Sequence, residues 1–338
     1  MNLITGGTGF LGAHLAALLL QQQQSVRIMK RSSSSLKEIS LIFQYHFGND
    51  GANMLKKIQF VDGSIMDPFD VEENLKGIKY VFHCAAMVSF NPEDQKTMLK
   101  VNVGGTENLV NVLLNSSIEK LCHVSSIASL GRAPSNNMIT ESTLWEDHGQ
   151  NSGYSISKYK GELEVWKGIA EGIPAVIVQP AVLLGPGQWN KGTCKLFSLV
   201  KSGLKYYTTG INGYVDVEDV ADRMITLTRM PISAERYILV SENVSYKEIL
   251  CEMARGLNVK EPSVYAGYTI RKLVVTADYL RSVFFRKDRT FSPDFARLAG
   301  QVAEYDASKI NSIIDRKFTP ISECIKKTSL FFNQTHLI

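Results

Sequence analysis

The sequence predicts an α/β fold, a doubly wound parallel sheet with a smaller C-terminal lobe beside it. Three observations carry this. Through residue 185, short β-branched or apolar runs alternate with longer segments of helical period, the pattern of successive βαβ units, which forces the strands to run parallel. The first run leads directly into a glycine-rich turn and an apolar helix. After Gly185-Pro186-Gly187 the alternation stops. With 338 residues, 44% hydrophobic and 21% charged, the chain can bury full cores in one large or two medium domains. We expect residues 1–185 to form the sheet domain and 186–338 a mostly helical lobe, from which elements can return to the first.

The strands expected are Leu3–Thr5, Val26–Met29, Ile58–Val61, Tyr80–Cys84, Lys120–Ser125 and Ala175–Val178, each a short apolar or β-branched run. Helical period marks Phe10–Gln22, Leu36–Phe47, Pro68–Leu75, Glu93–Asn115 and Gly153–Ala170. In the second lobe a helix near 191–202 precedes short strands near Lys205–Thr208 and Tyr214–Val217, with mostly helices thereafter. The polar runs Gln21–Gln24 and Ser32–Ser35 fall at element ends and read as solvated loops.

Charge excludes some functions. Lys plus Arg number 37 against 33 Asp plus Glu, spread along the chain, so nothing points to nucleic acid or an anionic membrane surface. Cys84, Cys122, Cys194, Cys251 and Cys324 stand far apart, with no C-x-x-C pair and no metal-ligand spacing. No metal is expected, and reduced thiols fit a cytoplasmic protein. Met1–Leu20 lacks a basic n-region and carries four glycines by residue 12, so it reads as folded structure and not as a signal peptide. Apolar stretches are broken before a membrane span is reached, as by Lys272, Asp278 and Arg281.

The glycine turn reads Thr5-Gly6-Gly7-Thr8-Gly9-Phe10-Leu11-Gly12. Gly6 permits the tight turn, Gly9 lets backbone approach a pyrophosphate, and Gly12 lets the helix pack close to the strand. Anionic oxygens would lie on the free amides of the helix start. This predicts a nucleotide site that includes Gly6, Thr8, Gly9, Phe10, Leu11 and Gly12. About 20 residues beyond such glycines an acid binds the ribose 2′-hydroxyl in dinucleotide folds. Here the chain carries Lys30-Arg31-Ser32, with no acid before Glu38. Arg31 can hold a 2′-phosphate through a bidentate charge-assisted pair and Ser32 can donate from its hydroxyl and amide, so NADP is expected in preference to NAD.

Past the fifth strand come Ser125-Ser126 and then Tyr154-Ser155-Ile156-Ser157-Lys158. A spacing of four puts Tyr154 and Lys158 on one helix face. Using a phenol as acid and base near neutrality means lowering its pKa by about 3 units from about 10, roughly 4 kcal/mol. An ammonium about 4 Å away at an effective dielectric of about 20 supplies that much.

Together TGGTGFLG at 5–12, the Ser-rich end of the fifth strand, YSISK at 154–158 and Pro180 after the sixth strand resemble an extended short-chain dehydrogenase/reductase, of the NAD-dependent epimerase/dehydratase superfamily, with its Rossmann-type sheet. The resemblance runs along essentially the whole chain, through His83-Cys84-Ala85-Ala86, Val101–Thr106 and Tyr214–Ala221. It implies Tyr154 as general acid/base, Lys158 holding the nicotinamide ribose, and Ser126 on the substrate oxygen, with Ser125 as the alternative. It also implies Ser64 and Ile65 near the adenine, Ala85, Ala86 and Asn102 along the cofactor channel, and Pro180, Val182 and Leu183 against the nicotinamide. A homodimer paired through the helices at 93–115 and 153–170 is the mode of such relatives.

Departures narrow the substrate. Gln179 stands where an Arg is frequent, Leu130 where an aromatic residue is common, and Gly210-Ile211-Asn212-Gly213-Tyr214 lacks the arginine of nucleotide-sugar epimerases. Met87, Val88, Phe90, Trp189, Phe197, Tyr206 and Tyr207 suggest apolar walls for a small molecule bearing a carbonyl or hydroxyl. The second lobe, with Gly185–Trp189 and Tyr305–Lys309, is more similar to the dihydroflavonol-reductase-like and 3β-hydroxysteroid-dehydrogenase-like branches. The reading is an NAD(P)-dependent oxidoreductase acting by hydride transfer; a nucleotide-sugar epimerase or dehydratase, and a non-catalytic NADP-sensing regulator, are the alternatives. Segment 260–290, with Tyr265, Tyr268 and Leu273, reads as an apolar face.

Overall fold

The computed structural model describes residues 1–132, 138–147, 149, 151–285, 296–297 and 299–335. In the first half β1 (Asn2–Thr5), β2 (Val26–Lys30), β3 (Gln59–Asp62), β4 (Tyr80–His83), β5 (Lys120–Val124) and β6 (Ala175–Pro180) alternate with helices. These are α1 (Phe10–Gln21), α2 (Lys37–Phe47), α3 (Gly51–Leu55), α4 (Pro68–Asn74), α5 (Gln95–Leu99), α6 (Gly105–Leu113) and α7 (Gly153–Ala170). Then follow β7 (Val182–Leu184), α8 (Cys194–Lys201), β8 (Tyr206–Tyr207), β9 (Ile211–Asp216), α9 (Val217–Arg229), β10 (Glu235–Leu239), β11 (Glu242–Ser245), α10 (Tyr246–Gly256), β12 (Val264–Tyr265), α11 (Tyr268–Phe285), α12 (Ser308–Ile313) and α13 (Ile321–Thr335).

The main sheet is parallel and has the strand order β10-β6-β5-β4-β1-β2-β3. Because strand side chains alternate, Leu3 and Ile4 are both buried but in different cores. One face meets α1, α2 and α9 through Ile4, Leu15, Ile28, Phe43, Val176 and Met224. The other meets α4, α6 and α7 through Leu3, Val71, Val81, Leu109, Val165 and Ile177. The strand order reverses between β1 and β4, the place where ligands bind in open α/β sheets.

The seventh strand corrects the expectation of six. β10 comes from beyond residue 186, and it lies beside β6 as the outer strand, with α9 packed on α1. Its sequence, Glu-Arg-Tyr-Ile-Leu, begins with two charges and gives little strand signal by composition. What remains of the second lobe is a sheet of β11-β9-β7, the ribbon β12-β8, and a core of Phe197, Tyr214, Ile249, Met253, Ile325 and Phe332. Among the described residues no helix is long and apolar enough to cross a membrane.

The single helix expected at 93–115 is also corrected. It divides into a 3₁₀ turn, α5, a π-helical stretch at Lys100–Gly104, and α6. The wide turn carries Asn102, whose carbonyl oxygen accepts from Thr106 Oγ1 at 2.7 Å and lies so near α7 that a Cβ on Gly161 would come within 2.7 Å of it. Single π turns inside α-helices are frequent at functional sites.

Candidate active site

Two loops meet at the reversal of strand order. Gly6 has φ +71°, and a Cβ there would lie 2.6 Å from Ala85 N, so only glycine fits the turn between β1 and the end of β4. At Gly12 a Cβ would come 2.4 Å from Gly6 O, so this glycine seats α1 against the loop itself. Gly9 differs from both. A Cβ there would meet only Gly6 O, at 3.4 Å, and otherwise point into open space. Gly9 also caps α1 with no side-chain hydrogen bond, leaving the first-turn amides of Phe10 and Leu11 for an anion. Thr8 and Phe10 are half-buried at this start, and the Phe10 ring packs against Gly185 and Gly187.

At the end of β2 Lys30 Nζ pairs with Asp62 Oδ1 at 2.8 Å. The next cation, Arg31, is exposed with Ser32 and makes no ion pair among the described residues. Ser64 donates its backbone N–H to Asp70 Oδ2 at 2.9 Å, and its hydroxyl accepts from Met66 N at 3.2 Å. The Ile65 side chain is buried against α6. Ala85 is half-buried and Ala86 exposed at the mouth. Asn102 is buried, and its amide is occupied in bonds to Met87 O (2.9 Å), Ser157 Oγ (3.0 Å) and Met87 N (2.7 Å), so it pins the loop after β4. Pro180 ends β6, buried, with Val182 and Leu183 half-buried in β7.

α7 is capped by Ser152, whose side chain accepts from Ser155 N at 3.1 Å, and its first two turns present Tyr154 and Lys158 to the sheet edge. Lys158 is buried and its ammonium donates to Val124 O at 2.7 Å, at the end of β5. Burial pushes it down to about 8, opposed by the negative charge of Glu162. The Tyr154 phenol is pushed up by burial, opposed by a hydrogen bond with Ser126. This corrects the expectation of a phenol lowered by its neighbouring ammonium: here the ammonium is committed to a backbone carbonyl and desolvation dominates. Phe90 flanks the phenol, ring centroids 5.6 Å apart.

The serine doublet divides. Ser126 caps a 3₁₀ turn, its oxygen accepting from Ala128 N at 3.1 Å, and faces Tyr154. Ser125 points the other way into a buried network around Glu162, a residue the sequence reading missed. Glu162 Oε2 accepts from Ser125, Ser129 (2.8 Å) and Gln179 Nε2 (3.0 Å); Oε1 accepts from Trp166 Nε1 (3.2 Å) and Arg236 (2.9 Å). The available signal was its spacing of four from Lys158 on the inward face of the helix. Also missed was His83, held between Thr5 Oγ1 at 2.7 Å and Thr106 Oγ1 at 3.0 Å. Since Thr106 donates to Asn102 O, His83 donates from Nε2, and burial, which lowers the ring to about 3, keeps it neutral.

Trp189 and Phe197 do not wall the site. They are 7% and 0% exposed in the second-lobe core, with Trp189 donating to Thr335 Oγ1. Tyr206, Tyr265, Tyr268 and Leu273 are exposed, and the part of segment 260–290 beyond 285 lies outside the described residues.

The sequence model of the NAD dependent epimerase/dehydratase family matches residues 2–241. The chain belongs to this family. It is accordingly an NAD(P)-dependent oxidoreductase of the extended short-chain dehydrogenase/reductase type. It is 28% identical to a putative dihydroflavonol 4-reductase of Synechocystis sp., over 90% of this chain and 87% of that one. It is 25% identical to cinnamoyl-CoA reductase 1 of Petunia hybrida, over 74% and 75%. Among solved structures, gox2253 shares the fold with a TM-score of 0.80 at 24% identity, covering 99% and 98% of the two chains. UDP-glucose 4-epimerase of Thermotoga maritima does so at 0.77 and 18%, covering 99% and 100%.

Proposed function

We propose that this family member is an NADP-preferring reductase of a carbonyl carried on an apolar or phenolic skeleton. The observation that carries this reading is the meeting of the Tyr154 phenol with Ser126 after β5, where Lys158 is buried against Val124, in the same parallel sheet whose β1 leads into the open face of Gly9. A nicotinamide cofactor, when bound, supplies hydride from its C4 to the carbonyl carbon. The chain's own groups do the rest. The free amides at the start of α1 and the open space over Gly9 suit a pyrophosphate. Lys158 holds the nicotinamide ribose, with the protons its ammonium keeps beside the one given to Val124 O. Ser126 donates a hydrogen bond to the substrate oxygen, and Tyr154 gives that oxygen its proton. Arg31, exposed and without an ion-pair partner among the described residues while Lys30 is neutralised by Asp62, supports the preference for a 2′-phosphate.

Relatives named for a dihydroflavonol, a cinnamoyl-CoA and a tetraketide α-pyrone support the substrate class, as does Phe90 beside the phenol. Five free cysteines fit a cytoplasmic setting, and the family resemblance supports pairing of two copies through α5–α6 and α7. The test is Tyr154→Phe against a panel of dihydroflavonol, cinnamoyl-CoA and UDP-glucose, following NADPH consumption. Turnover should fall by about 10²–10⁴-fold with NADPH affinity retained. Wild-type turnover in that variant, or protection against melting by UDP-glucose alone, would refute the reading.

A further inference from the structure

Glu162 is 2% exposed, yet its carboxylate receives five donors from four separate pieces of the fold: the turn after β5, the end of β6, β10 and α7 itself. With the carboxylate ionised, all five donors find an acceptor on it, and one of them is the Arg236 guanidinium. Ser125 gives its one hydroxyl proton to Glu162, and Gln179 gives one amide proton to Glu162 and the other to Ser129 Oγ at 3.1 Å. Ser129 is thereby free to give its one hydroxyl proton to Glu162, while its backbone N–H donates to the carbonyl of Ser126 at 2.9 Å. Burial pushes the carboxyl up, but the bonds from Ser125, Arg236 and Ser129 outweigh it and hold the group below the ordinary carboxylate range.

Two consequences reach the reacting groups. The peptide carrying Ser126 is held from both sides, through Ser125 and through Ser129. The charge one helical turn away opposes the desolvation of Lys158. Lys158 is also faced by Cys84 and His83 at the end of β4 and by His123 on β5; the two histidines are buried and neutral, His123 with neither ring nitrogen bonded among the described residues. Among these groups only Glu162 brings a full negative charge.

We propose that Glu162 is a positioning residue for the hydride-transfer centre, clamping the Ser125–Ser126 peptide against α7 and supplying the negative charge that keeps Lys158 an ammonium. The inference rests on the roles proposed above for Ser126 and Lys158. NADPH itself is the probe, titrated by fluorescence across neutral and alkaline pH in wild type, Glu162→Gln and Arg236→Gln, with melting followed in parallel. Wild-type affinity should weaken as pH rises through about 8, the value at which buried Lys158 loses its proton. In Glu162→Gln that midpoint should fall by about one pH unit, the scale of a unit charge a helical turn away in partly shielded surroundings. In Arg236→Gln, where the carboxylate loses its balancing cation, the midpoint should rise. A scaffold without an electrostatic role would move both variants the same way. Equal midpoints in wild type and Glu162→Gln, or acid shifts in both variants, would overturn the proposal. Should Glu162→Gln not fold, Arg236→Gln decides alone, and an unshifted or acid midpoint there overturns it. The role of Lys158 fails separately if Lys158→Met keeps the pH dependence of NADPH binding.

Discussion

Gly9 and Gly12 stand three residues apart, but alanine at each should do opposite things. At Gly12 the new methyl would lie 2.4 Å from Gly6 O and 2.8 Å from Gly7 Cα, both backbone, so α1 or the loop must move. Overpacking of this kind costs about 1–3 kcal/mol and more where backbone resists. At Gly9 the methyl meets only Gly6 O at 3.4 Å, and φ −93°, ψ 177° is extended backbone that alanine adopts freely. Lower entropy of the unfolded chain favours the variant by about 0.4–1 kcal/mol. Alanine is a poorer helix cap than glycine by a similar amount, roughly 0.5–1 kcal/mol, so the two nearly cancel. The methyl does, however, occupy the open face over the α1 amides. Losing one or two charge-assisted hydrogen bonds to a pyrophosphate, about 1.5–3 kcal/mol, weakens NADPH by about 10- to 100-fold. The assay is a thermal melt of each variant without cofactor and an NADPH fluorescence titration. Gly12→Ala should melt early; Gly9→Ala should melt with wild type and bind NADPH poorly. Early melting of Gly9→Ala, or wild-type affinity in it, would refute the assignment of that face to the cofactor.

Arg31→Ala should weaken NADPH about 10- to 100-fold, the worth of a charge-assisted pair at about 1.5–3 kcal/mol, and leave NADH little changed; equal losses for both cofactors would remove the 2′-phosphate argument. Burial lowers His14 and His83 each to about 3 from 6.5. Below pH 6.5 the unfolded chain takes up these protons and the folded chain does not, so stability should fall by about 2 kcal/mol per histidine between pH 6.5 and 5. Urea unfolding at the two pH values checks this, with a shallower slope in His83→Gln; a flat wild-type profile contradicts it. Trp189→Ala should cost about 3–5 kcal/mol of stability as a core truncation, whereas Phe90→Ala should raise KM for an aromatic carbonyl substrate and barely move the melt. The reverse pattern would return Trp189 to the substrate wall.

The parallel sheet was legible because its strands are local apolar runs and its glycine-rich turn is one contiguous string, residues 5–12. What escaped depends on contacts distant along the chain. β10 carries charge at its start and becomes a strand by pairing with β6, some 60 residues earlier. The break at Asn102 is invisible to period counting, since its cause is an amide bonded to Met87 and a carbonyl turned toward Gly161. Trp189 and Phe197 were ambiguous for the same reason. An aromatic side chain after the sixth strand reads alike as wall or core until its neighbours, here Phe332 and Tyr214, are known. Tyr154 and Lys158 could be placed on one face from spacing, but whether the ammonium reached the phenol or a carbonyl could not.

That last difference bears on the direction of chemistry. With Lys158 bonded to Val124 O and burial dominating at Tyr154, the phenol is fully protonated near neutral pH. Such a group begins as a proton donor, which is what reduction of a carbonyl needs; oxidation of an alcohol needs a base and so a further positive charge close by. Lys158 at about 8 is charged at neutral pH by only a small margin. Loss of that charge on the alkaline side weakens the hold proposed above for the nicotinamide ribose. In the function proposed above the same two groups suit reduction at neutral pH, and the reductive kcat/KM should fall first on the alkaline side, through Lys158 and not through the phenol.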